Sequence, residues 1–248
     1  MTARIAQIRR YPVKSIGGEG LDRVQLSAAR RLPGDREWAV LTEGGERHAG
    51  EVPARWLPKS CFLRGAASAA LQAVKGGWQD GQLHLSHPDR PEITADPQTQ
   101  GAALVDWLRP LWPEGKPAPT RIVRGPTGWT DVAQPWLSIL SLDSLSALEN
   151  ALGRKLGTER WRANLWLEGW QPGHELDLIG QILNIGDVEL RVTEAIGRCE
   201  ATSADTDSGQ IDIDMPVALE RLYGHRNFGI YAEVVTGGEI AIGAEVRL

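Results

Sequence analysis

Glycine-containing turns between short apolar runs constrain the fold of this 248-residue chain more than any other feature. Asp80-Gly81 and Gly186-Asp187 each separate two apolar runs, and Gly44-Gly45 and Gly237-Gly238 stand in similar positions. Such dipeptides readily adopt the positive φ angles that tight hairpins require. The spacing predicts a mainly β chain with a few helices, whose antiparallel sheets close or nearly close into β-barrel-like domains.

Three segments depart from this pattern and predict helices. In the segments 104–111 and 145–156, apolar residues recur every three to four positions, the spacing that lines one helix face. Asp143 or Ser144 can cap the start of the second helix. A third, shorter helix is expected to begin at Pro216, because proline suits the first turn of a helix.

A segment rich in proline and glycine, residues 113–120, interrupts the chain near its middle. Such composition is typical of a connection between domains. We therefore predict a smaller N-terminal β domain over residues 1–115 and a β-barrel-like domain over residues 116–248.

The overall charge argues against several classes of partner. The formal net charge is −5, and no run of lysine and arginine occurs. A chain of this kind is not expected to bind nucleic acid or an anionic membrane surface. No apolar stretch approaches the roughly 18–20 residues that span a membrane, and the N-terminus lacks the apolar run of a signal peptide. We expect a cytoplasmic protein.

Cys199 lies in "GRCEATSADTDSG", a polar loop that ends in glycine. The neighbouring Arg198 favours the thiolate form, which is both the nucleophile and the ligand of soft metals. The alternative is a small buried side chain, the most common role of a free cysteine and the one we expect for Cys61. A protease-type nucleophile would need a histidine base, and none of the five histidines has a protease context.

Two further segments combine cationic side chains with other polar groups. "YPVKSIGG" places Lys14 and Ser15 just before two glycines, a combination that can hold one phosphate although it is not a P-loop. "RWRANLWL" places Arg160, Arg162 and Asn164 two residues apart, which in a strand would direct all three to one face. If this face is buried, an anionic ligand would balance the charges of the two arginines. The alternative is a polar edge that faces solvent, where no ligand is required.

Five separated motifs, in this order, resemble one family. They are "RYPVKSIGG", "GDREWAV", "RWRANLWLEG", "GRCEATSADTDSG" and "FGIYAEVVTGGEIAIGAEV". Together they resemble the MOSC family, named for the molybdenum cofactor sulfurase C-terminal domain. The N-terminal stretch is similar to the β-barrel domain that precedes MOSC in the amidoxime-reducing branch.

The resemblance implies a site for the molybdenum cofactor, Mo-molybdopterin. It places the metal ligand, or the carrier of a persulfide, on Cys199, which is the one catalytic and metal-binding residue it implies. The remaining cofactor-binding residues that it implies are Lys14, Ser15, Arg36, Ser141, Arg162, Asn164, Arg198 and Tyr231.

The resemblance also implies a function. We expect a molybdenum-dependent oxidoreductase that reduces N-hydroxylated or other N-oxygenated small molecules. The chain has no multi-cysteine motif for an iron–sulfur cluster, so separate electron-donor proteins of the ferredoxin or flavin reductase type are expected. The alternative is a sulfur carrier or cofactor-delivery protein that uses a persulfide on Cys199. The same residues serve both.

Overall fold

The computed structural model describes residues 2–248 and is mainly β. Four α-helices accompany the strands: α1 (Glu43–Ala49), α2 (Gly101–Leu108), α3 (Leu142–Leu152) and α4 (Met215–Tyr223). The strands of the first half are β1 (Ala3–Arg10), β2 (Glu19–Leu21), β3 (Arg23–Leu26), β4 (Trp38–Thr42), β5 (Lys75–Gln79), β6 (Gln82–His87), β7 (Arg90–Ala95) and β8 (Pro119–Arg124). Those of the second half are β9 (Trp136–Ser141), β10 (Leu165–Glu168), β11 (Ile182–Ile185), β12 (Val188–Gly197), β13 (Asn227–Thr236), β14 (Gly238–Ala241) and β15 (Glu245–Val246).

The largest sheet has the strand order β11-β12-β13-β9-β10-β1-β15, with β2 paired to β1. It is not a closed barrel. Its two edges meet at an antiparallel bridge in which Asn184 and Arg247 exchange backbone hydrogen bonds of 2.7 and 2.9 Å. The expectation of a sheet that nearly closes therefore holds, and a fully closed barrel does not form.

The first half of the chain contributes to this sheet and also forms smaller ones. β4 pairs with β8, and β5, β6 and β7 form a three-stranded sheet. A hydrophobic core beside these strands includes Leu71, Leu83 and Leu104, each almost completely buried. The division into residues 1–115 and 116–248 stays a prediction, since β1 lies in the large sheet and β8 pairs with β4.

Two predicted hairpins are confirmed. Asp80 and Gly81 both have positive φ and join β5 to β6. Gly186 has a φ of 58° and joins β11 to β12. The helices predicted over 104–111 and from Pro216 are also present, as α2 with a following 3₁₀ turn and as α4.

Two other predicted hairpins are wrong, because these glycines serve close packing rather than hairpin turns. Gly45 lies inside α1, where a Cβ would come within 2.2 Å of the Cys61 carbonyl oxygen. Gly237 follows β13, but β14 pairs with β3 instead of folding back on β13. A Cβ on Gly237 would lie 2.7 Å from the Leu26 carbonyl oxygen, so glycine permits the approach of β3.

In the described chain, residues 2–248, no helix combines the length and the apolar character that crossing a membrane requires.

Candidate functional site

A cavity of about 250 Å³ lies between segments of the two halves of the chain. Eight of the nine residues expected in a site line it: Lys14, Ser15, Arg36, Arg162, Asn164, Arg198, Cys199 and Tyr231. These residues are separated by up to 217 positions in the chain, from Lys14 to Tyr231, so only the folded structure brings them together.

Ser141 does not line this cavity. Its hydroxyl accepts hydrogen bonds from the backbone N–H groups of Asp143 and Ser144, each at 3.2 Å, and so caps the N-terminus of α3. The sequence prediction placed the cap at Asp143 or Ser144, whereas the structure places it at Ser141. The cofactor role of Ser141 stays a prediction, which its place outside the cavity does not support. Ser138, three residues earlier on β9, lines the cavity instead.

The segment that carries Arg160, Arg162 and Asn164 is not a strand, contrary to expectation. Residues Glu159–Trp161 form a 3₁₀ turn, and Arg162 follows with a left-handed backbone at φ 52°. The strand β10 begins only at Leu165. The turn nevertheless brings all three polar side chains to the cavity.

Left-handed backbone conformations concentrate at this cavity. Five non-glycine residues in the described part of the chain have positive φ, and Ser15, Arg36 and Arg162 are three of them. Each such residue costs on the order of 1–3 kcal/mol and persists only where the surrounding structure holds it. Strain of this kind is typical of sites where side chains must face a ligand.

Cations dominate the cavity wall although the whole chain is acidic. Lys14, Arg36, Lys59, Arg64, Arg160, Arg162 and Arg198 line it, seven cations against the two acids Asp131 and Glu200. Such a wall favours an anionic ligand.

Three of these seven cations are paired with carboxylates. Lys14 Nζ lies 2.5 Å from Asp131 Oδ1, and Arg160 Nη1 lies 2.9 Å from Asp212 Oδ1. Arg36 is ion-paired with Asp35, which outweighs the effect of burial and raises the pKa of Arg36. The charge of these three is therefore largely balanced within the protein.

Arg162 and Arg198 have no carboxylate partner in residues 2–248. Arg162 donates to the carbonyl oxygens of Gly17 (2.8 Å), Ile16 (3.1 Å) and Val13 (3.2 Å). Burial lowers its pKa to about 10, and the nearby charge of Arg36 adds to that effect. The guanidinium remains charged at neutral pH, so an anion in the cavity would stabilise it.

Arg198 has a similar environment. It donates to the carbonyl oxygens of Phe228 (2.8 Å from Nε) and Trp161 (3.1 Å from Nη1). Burial lowers the pKa of Arg198 to about 10. Its guanidinium carbon lies 5.4 Å from the centre of the Trp161 ring.

Trp161 supplies a second sign that a ligand belongs here. It is 2% exposed and lines the cavity, and its indole Nε1–H has no hydrogen-bond partner among the described residues. A buried N–H without a partner is costly, and a ligand acceptor would satisfy it. Sequence reasoning missed Trp161, although it stands in the middle of the "RWRAN" motif.

Asn164 is less available to a ligand than expected. Its side-chain oxygen accepts from the N–H (3.1 Å) and hydroxyl (3.0 Å) of Ser138, and its nitrogen donates to the Arg9 carbonyl at 3.3 Å. The amide therefore ties β9 to β1 at the cavity wall, which makes it a support of the site.

Cys199 is half-buried and lies at the start of a 3₁₀ turn, Glu200–Ser203. Its carbonyl oxygen accepts from the Thr202 hydroxyl at 2.8 Å and from the Thr202 N–H at 3.0 Å. Arg160 donates to the Thr202 carbonyl at 3.1 Å. The backbone of Cys199 is thus held in place while its side chain lines the cavity. Cys61 is buried elsewhere, as expected, and both cysteines are free.

Asp131 is a further cavity residue that sequence reasoning missed. Burial would raise the pKa of its carboxyl, but the charge and hydrogen bond of Lys14 lower it to about 2. Lys14 Nζ also donates to the Trp129 carbonyl at 2.9 Å, which leaves one of its three protons for a ligand. The loop that carries Trp129 and Asp131 is held by Arg31, whose guanidinium donates to backbone carbonyls between Thr127 and Gln134.

We expect the free energy of unfolding to fall less steeply below about pH 4 in Asp131→Asn than in the unaltered protein. The ordinary pKa of Asp is near 4, so the ion pair stabilises the fold above about pH 4 and is lost as pH falls towards 2. Half of the Asp131 side chain is exposed, so the effect is at most about 1 kcal/mol. Urea unfolding of both proteins at pH 5 and pH 2.5 measures it. If the free energy of unfolding decreases equally from pH 5 to pH 2.5 in the two proteins, Asp131 does not form the stabilising ion pair with Lys14.

The comparisons with known proteins agree with this architecture. The MOSC N-terminal beta barrel domain matches residues 2–109, and the MOSC domain matches residues 131–247. The chain belongs to the MOSC family. This membership relates its function to the molybdenum cofactor, from whose sulfurase the family takes its name.

Two curated relatives are similar to the chain along nearly its whole length. The mitochondrial amidoxime-reducing component 1 of Homo sapiens is 25% identical over 286 aligned positions, covering 98% of this chain and 82% of the human protein. The Mus musculus protein of the same name has the same identity and coverage. The crystal structure of the YUAD protein from Bacillus subtilis has a similar fold, with a TM-score of 0.50 and 15% identity over 99% of this chain and 94% of that one.

Proposed function

We propose that this chain binds the molybdenum cofactor and reduces N-hydroxylated compounds. The observation that carries the proposal is that Cys199 shares one cavity with Arg162 and Arg198, two guanidiniums that have no carboxylate partner within residues 2–248. A thiolate is a ligand for a soft or sulfur-bound metal, and guanidiniums are the preferred partners of phosphate. The curated relatives are named for amidoxime reduction, which supports the same class of reaction.

The donor set suits this cofactor. Lys14, Ser15, Arg36 and Arg162 would hold its phosphate and the polar edge of its pterin, and Cys199 would bind the metal. Trp161 would donate its unpartnered N–H to an acceptor of the same group. When bound, the cofactor supplies two-electron chemistry at the metal, while the protein provides binding and orientation.

Arg198, whose charge the cofactor would balance, and Tyr231 would also contact the substrate. Burial raises the pKa of Tyr231, although the charge of Arg198 opposes this, so the hydroxyl is protonated at neutral pH. A protonated phenol and a guanidinium both donate hydrogen bonds to the oxygen of an N–O group. Preorganised donors stabilise the negative charge that develops on that oxygen as the N–O bond breaks. Electrons would come from a separate donor protein of the ferredoxin or flavin reductase type.

The deciding experiment combines metal analysis with a reduction assay. Protein from a cofactor-competent host is analysed for molybdenum by elemental mass spectrometry and for pterin by fluorescence after oxidation. Benzamidoxime is then offered with reduced methyl viologen as the electron source, and benzamidine is quantified. Near-stoichiometric molybdenum with benzamidine formation supports the proposal. Protein without molybdenum that carries a persulfide on Cys199 would favour the sulfur carrier instead.

We expect Lys14→Ala to reduce cofactor occupancy about tenfold or more, because it removes a charge-assisted donor from a largely buried position. Molybdenum content after dialysis measures the loss. Lys116→Ala, which changes an exposed lysine outside the cavity, is the matched control and should retain full occupancy. Equal occupancy in both variants would remove Lys14 from the site.

A further inference from the structure

Two cations of the cavity wall have no role in the site described so far. Lys59 and Arg64 line the cavity, and both are exposed. Neither forms an ion pair or a side-chain hydrogen bond within residues 2–248. The paired cations are balanced by the protein itself, and Arg162 and Arg198 lie at less exposed positions, where the cofactor would compensate them. Lys59 and Arg64 are therefore the exposed, unpaired cations of the cavity wall, although the charge of Lys59 also helps to lower the pKa of Asp131.

The backbone that carries Lys59 and Arg64 is firmly attached to the protein core. Phe62 and Leu63, which lie between them, are both nearly fully buried, and the Phe62 ring packs 4.7 Å from that of Trp129. The Leu63 N–H donates to the Val40 carbonyl at 2.9 Å. The two cations therefore project from a segment whose backbone is already fixed, so a ligand that binds them need not order that backbone.

The same segment is joined to the cofactor side of the cavity. The Ser15 hydroxyl donates to the Leu63 carbonyl at 3.2 Å, so the residue after Lys14 contacts the segment that carries Arg64. The anchored segment thus places two exposed cations beside the residues assigned to the cofactor. A ligand that enters from solvent meets these cations on its way to the interior of the cavity.

The remaining acid of the cavity wall limits where an anionic group can lie. Glu200 follows Cys199 directly, is exposed, and forms no ion pair in the described chain. A negatively charged group is repelled next to Glu200 and attracted by Lys59 and Arg64. A Cβ on Gly65, the residue after Arg64, would lie 3.2 Å from the Ala201 side chain, so the segment of Arg64 also borders the loop that carries Cys199. An anionic group is therefore expected at the two cations and not at Glu200.

We propose that Lys59 and Arg64 bind an anionic group of the substrate, so that the preferred substrates are N-hydroxylated compounds that also carry a carboxylate or a phosphate. This inference rests on the proposed function, because it names the substrate class of the same site. The N–O group lies at the end of the substrate near Cys199, and the anionic group lies at the end near Lys59 and Arg64.

The expected effect is moderate, because both cations are exposed. Two such charge contacts change an affinity by about three- to tenfold, and salt screens them. The effect should appear in KM and leave kcat within about twofold, since binding of a remote group is equal in the ground state and the transition state.

The test compares benzamidoxime with 4-carboxybenzamidoxime on the molybdenum-loaded protein. The double variant Lys59→Gln/Arg64→Gln should raise KM for the carboxylated compound about three- to tenfold and leave KM for benzamidoxime unchanged. Lys116→Gln/Arg221→Gln, which removes two exposed cations outside the cavity, is the control for net charge and should change neither. An equal change for both substrates, or a loss of molybdenum from the Lys59/Arg64 variant, would overturn the proposal.

Calorimetric titration separates this proposal from the proposed function. If the loaded protein reduces neither compound, the proposed function fails, and 4-carboxybenzamidoxime is titrated into the same three proteins. If binding is three- to tenfold weaker in the Lys59/Arg64 variant alone, the proposal that these two residues bind an anionic group is supported even though the proposed function fails. Equal binding in all three, or no binding to the unaltered protein, would overturn it.

Discussion

Cys199→Ser is expected to lower the molybdenum content of the purified protein by more than about tenfold, while the melting temperature stays within about 2 °C. Serine has nearly the same shape as cysteine, and the backbone contacts of Cys199 with Thr202 do not involve the thiol. The loop should therefore keep its conformation. What is lost is the soft sulfur ligand, because an alcohol at neutral pH is neither deprotonated nor soft.

Cys61→Ala is the matched control for the loss of a thiol. Cys61 is 4% exposed, lies outside the cavity, and has a pKa that burial raises. Its replacement should leave molybdenum content unchanged and lower the melting temperature by about 2–4 °C, the effect of losing about 1 kcal/mol of packing. Elemental mass spectrometry and calorimetry on the two variants give both values. Full molybdenum content in Cys199→Ser would disprove the ligand assignment.

The parts of the fold that could be predicted from sequence depend on local interactions. The hairpin at Asp80-Gly81 needs only two residues with positive φ between two apolar runs. The helix α2 needs only a stripe of apolar residues on one face. Each of these features depends on about a dozen neighbouring residues, so it can be predicted from the local sequence alone.

The predictions that failed concern contacts between distant segments. Gly45 and Gly237 each belong to a Gly-Gly pair, which is typical of turns. Each position needs glycine, however, because the backbone of a remote segment approaches it closely. The expected strand over Arg160–Asn164 is replaced by a 3₁₀ turn and a left-handed residue, since the side chain of Arg162 is held by carbonyls of residues 13–17. No periodicity within the segment itself reveals such a constraint.

The same distinction applies to the candidate site. The family resemblance named eight residues that line one cavity, including Lys14 and Cys199, whereas Ser141 turned out to cap a helix. It could not reveal Asp131, Lys59 or Arg64, because their places in the cavity wall depend on how loops of the two halves meet. The balance of charge in the cavity, on which both proposals rest, becomes visible only when each cation is matched with its acid in three dimensions.

Arg162→Met is expected to remove most of the response of the molybdenum-free protein to phosphate. In the unaltered protein, inorganic phosphate should raise the melting temperature relative to chloride at equal ionic strength, because it compensates the guanidiniums of Arg162 and Arg198. Phosphate at about ten times its Kd stabilises by about 1.4 kcal/mol, which corresponds to about 3–6 °C for a protein of this size. In Arg162→Met the shift should fall below half of that value.

The substitution also affects the fold itself. Three carbonyl oxygens, those of Val13, Ile16 and Gly17, lose their donor, which costs about 2–3 kcal/mol. Arg162→Lys retains the charge but cannot reach three acceptors at once, so its phosphate response should lie between those of the other two proteins. Because the loss of stability and the loss of phosphate response are read separately, a variant that is merely less stable is recognised.

Arg121→Met is the control that decides the interpretation. Arg121 donates to Glu46 at 3.1 Å and lies outside the cavity, so its loss should lower the melting temperature while the phosphate shift remains. Differential scanning calorimetry at several phosphate concentrations gives the shift for each protein. If Arg162→Met and Arg121→Met respond to phosphate as the unaltered chain does, Arg162 is a structural residue that stabilises the loop of residues 13–17, and the anion site lies elsewhere in the cavity.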